Sequence, residues 1–262
     1  MGLGLWTRFL LLALACSCAQ GAERVLDFHS EIRIGPDGTL SVTEMITVQA
    51  EGKQIRRGLV RDFPADYRDR LGNRRRVRFE VLSVARNGQP EPYALERLAH
   101  GRRLRIGAPD VPLPFGLQEY RIAYRTARQI GFFEDHDELY WNVNGTGWSL
   151  PFERMSAEVR FPGPVPAGDL KVEAYTGPQE ARGRNYQAFV RHGSAALRIT
   201  RPLGPREGFS IAVAFPKGVL TPPSRSARFD AWLGDNPAIL WGFAGLLVLA
   251  VYLSRRLEPR FS

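Results

Sequence analysis

The sequence predicts an all-β fold: two consecutive β-sandwich domains, then a single C-terminal transmembrane α-helix. Three observations carry this. Apolar and polar residues alternate with period two through most of residues 25–215. Turn dipeptides such as Asn87-Gly88, His100-Gly101, Asn144-Gly145, Gly177-Pro178 and His192-Gly193 punctuate that alternation. Residues 237–253 form an apolar run without a charge, bounded by Asp235 and by Arg255-Arg256.

The N-terminus reads as an export signal over residues 1–21. Arg8 closes a short n-region, Phe9 to Ala15 is a compact apolar core, and Ala19-Gln20-Gly21 places small residues where a signal peptidase cuts, before Ala22. Lipoprotein processing at Cys16 is the rival reading, and Ala13-Leu14-Ala15 fits it poorly. The apolar core is too short to span a bilayer.

In the body, Leu26, Phe28, Ile32 and Ile34 are expected on one strand face, with Asp27, His29, Glu31 and Arg33 on the other. Pro36-Asp37-Gly38 turns the chain, and Leu40, Val42, Ile46 and Val48 alternate with Ser41, Thr43, Thr47 and Gln49 to complete a hairpin. Further strands are predicted at 77–84, 104–106, 120–124, 139–143, 155–161, 170–175, 186–190, 195–200 and 209–215. No helical period of useful length interrupts them. A boundary at Trp148-Ser149-Leu150-Pro151 divides a first domain, 22–148, from a smaller second one, 149–220. Residues 221–236, opening on Thr221-Pro222-Pro223-Ser224, read as a juxtamembrane linker.

As a helix, residues 237–253 would span roughly 25 Å at 1.5 Å per residue, slightly short of a hydrocarbon core about 30 Å thick. Trp232, Trp241 and Tyr252 suit the two interfaces. The arginines at 255–256 place residues 254–262 in the cytoplasm as a short tail and the body outside, which the export signal demands independently. The expected location is the cytoplasmic membrane, single-pass, with an extracytoplasmic body.

Composition narrows the function classes. The chain has 262 residues, 44% hydrophobic and 24% charged, which suits a folded body rather than a disordered one. Its net charge is +9, carried by 36 basic residues of which only Lys53, Lys171 and Lys217 are lysine. Attraction to anionic lipid or an anionic envelope polymer is one reading of that charge; a compositional skew is the other. Nucleic acid is not an expected partner of an exported chain. Cys16 and Cys18 both fall in the signal, so disulfides and thiolate metal sites are not expected in the body.

Five segments carry a resemblance. They are Asp37-Gly38-Thr39-Leu40-Ser41-Val42-Thr43-Glu44, then Arg57 to Pro64 (RGLVRDFP), Glu138 to Trp148 (ELYWNVNGTGW), Ala174-Tyr175-Thr176-Gly177, and Phe215-Pro216-Lys217-Gly218. In this order they resemble the bacterial family of predicted membrane proteins catalogued as domain of unknown function 2207. The resemblance implies an exported, membrane-anchored β-domain with no assigned chemistry. Longer members continue into further membrane helices and a Gly/Ser-rich tail, whereas this sequence runs nine residues past its apolar segment.

Glu44 is in phase with the core positions Leu40, Val42, Ile46 and Val48. An unpaired buried carboxylate is costly, so Glu44 is expected to pair with Arg57 or Arg61 as a structural ion pair. The densest titratable cluster is Glu134-Asp135-His136-Asp137-Glu138, where an extended chain puts Glu134, His136 and Glu138 on one face. A solvated acidic loop is the plainer reading, and a divalent metal or acid–base site is the sharper one. Trp141 and Trp148 flank Asn144-Gly145, a type I′ hairpin signal; core packing or sugar stacking are their two readings, with Tyr140 as the exposed partner. Arg74-Arg75-Arg76, with Arg68, Arg70 and Arg78, is a solvated charge run or a contact for anionic headgroups.

The sequence holds no nucleophile elbow, P-loop, dinucleotide fingerprint or His-Glu-x-x-His. No cofactor and no small-molecule substrate is therefore expected. The expected function is a non-enzymatic binding or assembly module of the cell envelope, held by the bilayer through 237–253 and contacting another envelope protein or an anionic polymer. The alternative is an envelope hydrolase or metal-dependent enzyme built on residues 134–138.

Overall fold

The hairpin formed by β1 (Arg24–Ile34) and β2 (Leu40–Ala50) lies at the centre of the molecule. The computed structural model describes residues 22–64, 66–68 and 74–257. The export signal expected over 1–21 and residues 258–262 of the expected tail lie outside the described residues.

After the central hairpin come β3 (Val60–Pro64), β4 (Asp66–Arg68), β5 (Arg74–Arg76), β6 (Phe79–Arg86) and β7 (Gln89–Pro90). Next are β8 (Tyr93–Leu98), β9 (Gly101–Ile106), β10 (Gly116–Thr126), β11 (Ile130–Phe132) and β12 (His136–Asn142). The remaining strands are β13 (Met155–Arg160), β14 (Lys171–Gly177), β15 (Tyr186–Arg191), β16 (Ser194–Ile199) and β17 (Gly208–Pro216). Two helices follow, α1 (Arg225–Asp235) and α2 (Pro237–Leu257).

The largest sheet has eight strands in the order β15-β16-β13-β1-β2-β10-β6-β7. A four-stranded sheet runs β11-β12-β17-β14, a three-stranded one β3-β9-β8, and β4 pairs with β5 alone. Strand β2 shows the periodicity most cleanly: Leu40, Val42, Glu44, Ile46, Val48 and Ala50 are buried and the residues between them are not. The same alternation fails at the start of β1. A bulge between Val25 and Asp27 shifts the register, so Val25 faces the core and Leu26, expected there, is only half-buried. At Asn87-Gly88 both residues take positive φ, 49° and 78°, and the turn joins β6 to β7 as the dipeptide predicts.

Two consecutive domains are not what these strands build. Strand β1 pairs in parallel with β13, Phe28 opposite Met155 through Arg33 opposite Arg160. Strand β12 pairs with β17, His136 opposite Pro216 through Asn142 opposite Ser210. Both pairings cross the boundary expected at 148/149. The buried apolar residues form one cluster from Val25 to Leu220, so residues 22–220 share a single core. Period-two patterning identifies strands, but it does not say which distant strands pair.

The expected linker at 221–236 is also corrected, because most of it is helix α1. Ser224 caps it, accepting a hydrogen bond from Ala227 N at 3.1 Å, and Pro237 ends it by starting α2. At the far end of α1, Asp235 is buried and accepts a hydrogen bond from Arg128 Nη1 at 2.6 Å. Helix α2 continues to Leu257, four residues past the expected end of the apolar segment. Among the described residues no helix is long and apolar enough to cross a membrane, the described side chains of α2 running unbroken only over 241–253. Those side chains lie on the surface: Trp241, Phe243, Leu246 and Leu247 are each more than 60% exposed.

Candidate functional site: a cleft over a buried ion pair

The fully buried Glu44 carboxylate points from β2 into the core, and the side chain that meets it is Arg61 of β3. Arg61 Nε donates to Glu44 Oε2 at 3.0 Å and Nη2 donates to Oε1 at 2.9 Å, the bidentate fork that matches a carboxylate best. Arg57, the other expected partner, is exposed and plays no part in the pair. Tyr124 Oη donates to Glu44 Oε1 at 2.9 Å from β10. Arg61 spends its other donors on backbone: Nη2 on Val143 O at 2.8 Å, and Nη1 on Asn144 O at 2.6 Å and Asp62 O at 3.0 Å. A guanidinium has five donor hydrogens, and these contacts use all five. The rings of Phe63 and Phe28 lie 4.7 and 5.8 Å from the guanidinium carbon.

Burial alone would lower the Arg61 guanidinium, but the Glu44 carboxylate beside it outweighs burial and holds it above its usual value. Burial pushes the Tyr124 phenol well up, and the neighbouring Glu44 charge pushes it further. The Arg61 guanidinium and the Tyr124 phenol of this network thus both hold their protons more tightly than usual. Its chemistry is therefore positional: it locks β3 against the Val143–Asn144 backbone.

Asn144 is the second hub. Its Oδ1 accepts from Phe209 N at 2.8 Å, its Nδ2 donates to Glu207 O at 3.0 Å, and its carbonyl accepts from Trp148 Nε1 at 2.9 Å as well as from Arg61. Asn144-Gly145 therefore does not turn a hairpin, contrary to the dipeptide signal. The side chain that would shape a free turn is used to fasten the chain to the start of β17.

Above this floor opens a cleft of 740 Å³. One wall is β3 with the turn before β9, residues 98–101; the other is the segment 142–150. Ile55, Leu59, Phe63 and Leu150 give it an apolar lining. At its mouth Arg103 and Asp62 form a second bidentate pair, both bonds 2.7 Å, with both side chains partly in solvent. Ser149 Oγ and Gln54 Oε1 meet across the cleft. Two of the segments that carry the family resemblance, 57–64 and 138–148, thus face each other and are joined by Arg61.

The other expected site residues are scattered. Trp141 and Trp148 are buried, at 7% and 8% exposure; Trp141 belongs to the core, and Trp148 is core that also lines the cleft. Trp148 packs edge-on against Phe28 and Phe152. Tyr140 alone of the three reaches solvent. Of the arginine run, Arg76 is exposed at the end of β5, and the side chains of Arg74 and Arg75 lie outside the described residues. The acidic cluster divides between two faces. Glu134 and Asp135 are exposed and His136 Nδ1 lies 2.7 Å from Asp135 Oδ1, whereas Asp137 turns inward to Lys217 Nζ at 2.6 Å. Among the described residues no three His, Cys, Asp or Glu side chains converge to hold a metal, Glu134, His136 and Glu138 included.

A family model described as the N-terminal domain of a predicted membrane protein (DUF2207) matches residues 24–215. The chain belongs to this family. The uncharacterized protein YciQ of Escherichia coli (strain K12) is 26% identical over 246 residues, which cover 92% of this chain and 38% of YciQ. The chain thus spans well under half of that relative's length. Two solved structures share part of the shape. Yeast LTA4 hydrolase is 12% identical with a TM-score of 0.46, over 74% of this chain and 29% of that one. The M1 zinc metallopeptidase of Deinococcus radiodurans is 19% identical with a TM-score of 0.40, over 72% of this chain and 42% of that one. Likeness at this level carries no argument about chemistry.

Sequence reasoning on this DUF2207 chain missed Tyr124, Asn144, the Arg103–Asp62 pair and the Arg128–Asp235 pair. Tyr124 had one legible signal, its phase with Tyr120 and Ile122 on β10. The others depend on pairings between distant strands.

Proposed function

We propose that this chain is a membrane-tethered module of the cell envelope that holds its β-body outside the cytoplasmic membrane and binds another envelope component in the cleft above Arg61. The observation that carries the reading is α2. Its described side chains from Trp241 to Leu253 hold no charge and stay on the surface, a larger apolar patch than a soluble monomer exposes. A bilayer covers such a face without a protein partner. The membrane assignment of the family supports the same reading. The arginines at 255–256 favour the orientation with the body outside. The cleft is a binding feature by size and lining, and the fixed network beneath it favours recognition by shape.

Cysteine labelling tests the tether, because residues 22–262 contain no cysteine. In spheroplasts, a membrane-impermeant maleimide is expected to label Glu180→Cys at once and Ser262→Cys only after permeabilisation. The reverse pattern, or release of the protein by alkaline carbonate, refutes the proposed topology. A photo-crosslinking residue at Val60, exposed on the cleft wall, is expected to trap a partner that the same residue at Phe189, exposed on β15, does not.

A further inference from the structure

We propose that Ser156 and His29 form a nucleophile–base pair that hydrolyses small O-acyl esters on the solvent face of the eight-stranded sheet. The pair shares no residue with the cleft and stands independently of it. Period-two alternation puts His29 on the outer face of β1. The parallel pairing of β1 with β13 then sets Ser156 directly beside it, 127 positions later in the sequence. His29 Nδ1 and Ser156 Oγ lie 2.8 Å apart, and both residues are half-buried. That separation is the reach at which an imidazole activates a hydroxyl. With the ring proton on Nε2, Oγ donates to Nδ1 and Nδ1 is the base.

The sheet register supplies a cation on the other side of the hydroxyl. Strand β16 lies next to β13, and Arg198 stands opposite Ser156. Neighbouring strands are about 4.8 Å apart, so an imidazole and a guanidinium flank Ser156 in one row across three strands. Arg198 is braced from β15. Its Nε and Nη2 both donate to Gln187 Oε1, at 3.1 and 2.8 Å, and the Phe189 ring lies 5.1 Å from the guanidinium carbon. Its Nη1 has no hydrogen-bond partner among the described residues. A braced guanidinium with donors to spare, next to a nucleophile, is what a developing oxyanion needs.

A pocket of 440 Å³ opens over this row, lined by Asp27, Arg154, Ser156, Gln187, Arg198 and Thr200. Apart from Met155 and Ile199 its lining is polar, which suits a small acyl group rather than a long hydrocarbon chain. Asp27 and Glu31 flank His29 on the same strand face, two positions to either side. Arg154 engages Asp27 at 3.3 Å, and Arg33 and Arg160 engage Glu31 at 2.8 and 3.4 Å. Glu158, two positions after Ser156, is held by Arg160 at 3.0 Å. These carboxylates leave the imidazole free to take the Ser156 proton, and the two beside it favour the imidazolium once it forms. In the reaction, Oγ adds to the ester carbonyl carbon as its proton passes to Nδ1, and the carbonyl oxygen becomes an oxyanion facing Arg198 Nη1. The oxyanion collapses, the bond from the acyl carbon to the alcohol oxygen breaks, and the alcohol leaves with the proton from Nδ1. Water then adds to the acyl-serine and gives its proton to Nδ1; the acyl–Oγ bond breaks, Oγ takes the proton back, and the free acid is released.

The test uses the full chain in detergent micelles with a fluorophosphonate probe, which forms a P–O bond to an activated serine and expels fluoride. Peptide mass spectrometry is expected to place the adduct on Ser156 and not on the exposed Ser149 or Ser224. A positioned general base is worth about a hundredfold or more, so His29→Gln is expected to slow labelling by about that factor. The unmodified chain is expected to release 4-nitrophenol from 4-nitrophenyl acetate faster than Ser156→Ala does. Absence of the adduct on Ser156 in the unmodified chain, which needs no variant to fold, overturns the proposal. So does equal labelling of a folded His29→Gln variant. An adduct without ester cleavage above the Ser156→Ala background overturns the hydrolytic step.

Discussion

Arg61 and Glu44 meet through two parallel hydrogen bonds of 3.0 and 2.9 Å, and neither side chain is more than 3% exposed. A buried pair of this kind is asymmetric in its energetics. Removing one partner strands a charge, whereas removing both leaves no charge stranded. Glu44→Gln is expected to cost about 3–5 kcal/mol, read by urea unfolding of the solubilised protein. Arg61→Met should cost more, since it also abandons the Val143 and Asn144 carbonyls. The double variant Glu44→Gln/Arg61→Met should fall well short of the sum of the two. Additive losses would show that the two side chains act independently.

Two tyrosines on β10 make a controlled comparison. Tyr124 Oη bonds Glu44, while Tyr120 Oη is buried with no hydrogen-bond partner among the described residues. Tyr124→Phe is expected to lose about 1–2 kcal/mol, and Tyr120→Phe to lose nothing or gain slightly. Burial raises both phenols, so neither replacement should change the native absorbance titration at 295 nm below the pH of unfolding.

Glu23 sets a pH dependence. Its carboxylate accepts backbone N–H groups from Glu51, Lys53, Gln54 and Ile55, tying the start of β1 to the loop after β2. Burial pushes this carboxyl up, but the amides of Gln54, Lys53, Glu51 and Ile55 together outweigh it and leave it below its usual value. A depressed carboxyl stabilises the fold fully above its unfolded pKa, about 4.3, and that stability is lost as pH falls through the lower folded value. Urea midpoints measured from pH 6 to pH 3 should therefore decline below about pH 4.5, and Glu23→Gln should flatten the decline. An unchanged slope would argue that other carboxylates, such as Asp37 and Glu207, dominate.

Asn144→Ala removes the partners of two backbone groups, Phe209 N and Glu207 O. Each buried group left unpaired costs about 1–3 kcal/mol. The amide of Phe209 should exchange far faster in the variant while the amides of β2 keep their protection. Loss of protection throughout the large sheet would instead mean that Asn144 holds the whole core.

Period-two alternation read most of the long strands correctly because each lies half against the core and half against solvent. It missed short elements whose sequence carries too few turns of the pattern, such as β4, β5 and β11. It also gave no sign of helix α1, whose Pro222-Pro223-Ser224 entrance reads equally well as linker or helix cap. Within the site, the in-phase Glu44 demanded a buried cation, and a short list of arginines followed. Choosing Arg61 over Arg57 needed the register of β3 on β9, where Arg61 stands opposite Leu104. The cleft was not legible, since its walls lie far apart in the sequence, 82 positions at the Arg61–Val143 contact, and meet through Arg61 and through Ser149 with Gln54.

The parallel pairing of β1 with β13 bears on how the proposed export would proceed. Phe28 stands opposite Met155, 127 positions later. A chain threaded through a secretion pore N-terminus first delivers its central strand early and that strand's neighbour late. Until β13 arrives, the inner edge of β1 is an open template for any extended segment that drifts past. On the proposed topology, export should therefore depend on extracytoplasmic holdase capacity more than the chain's size suggests, and slowing translation between residues 50 and 155 should lengthen the interval of risk.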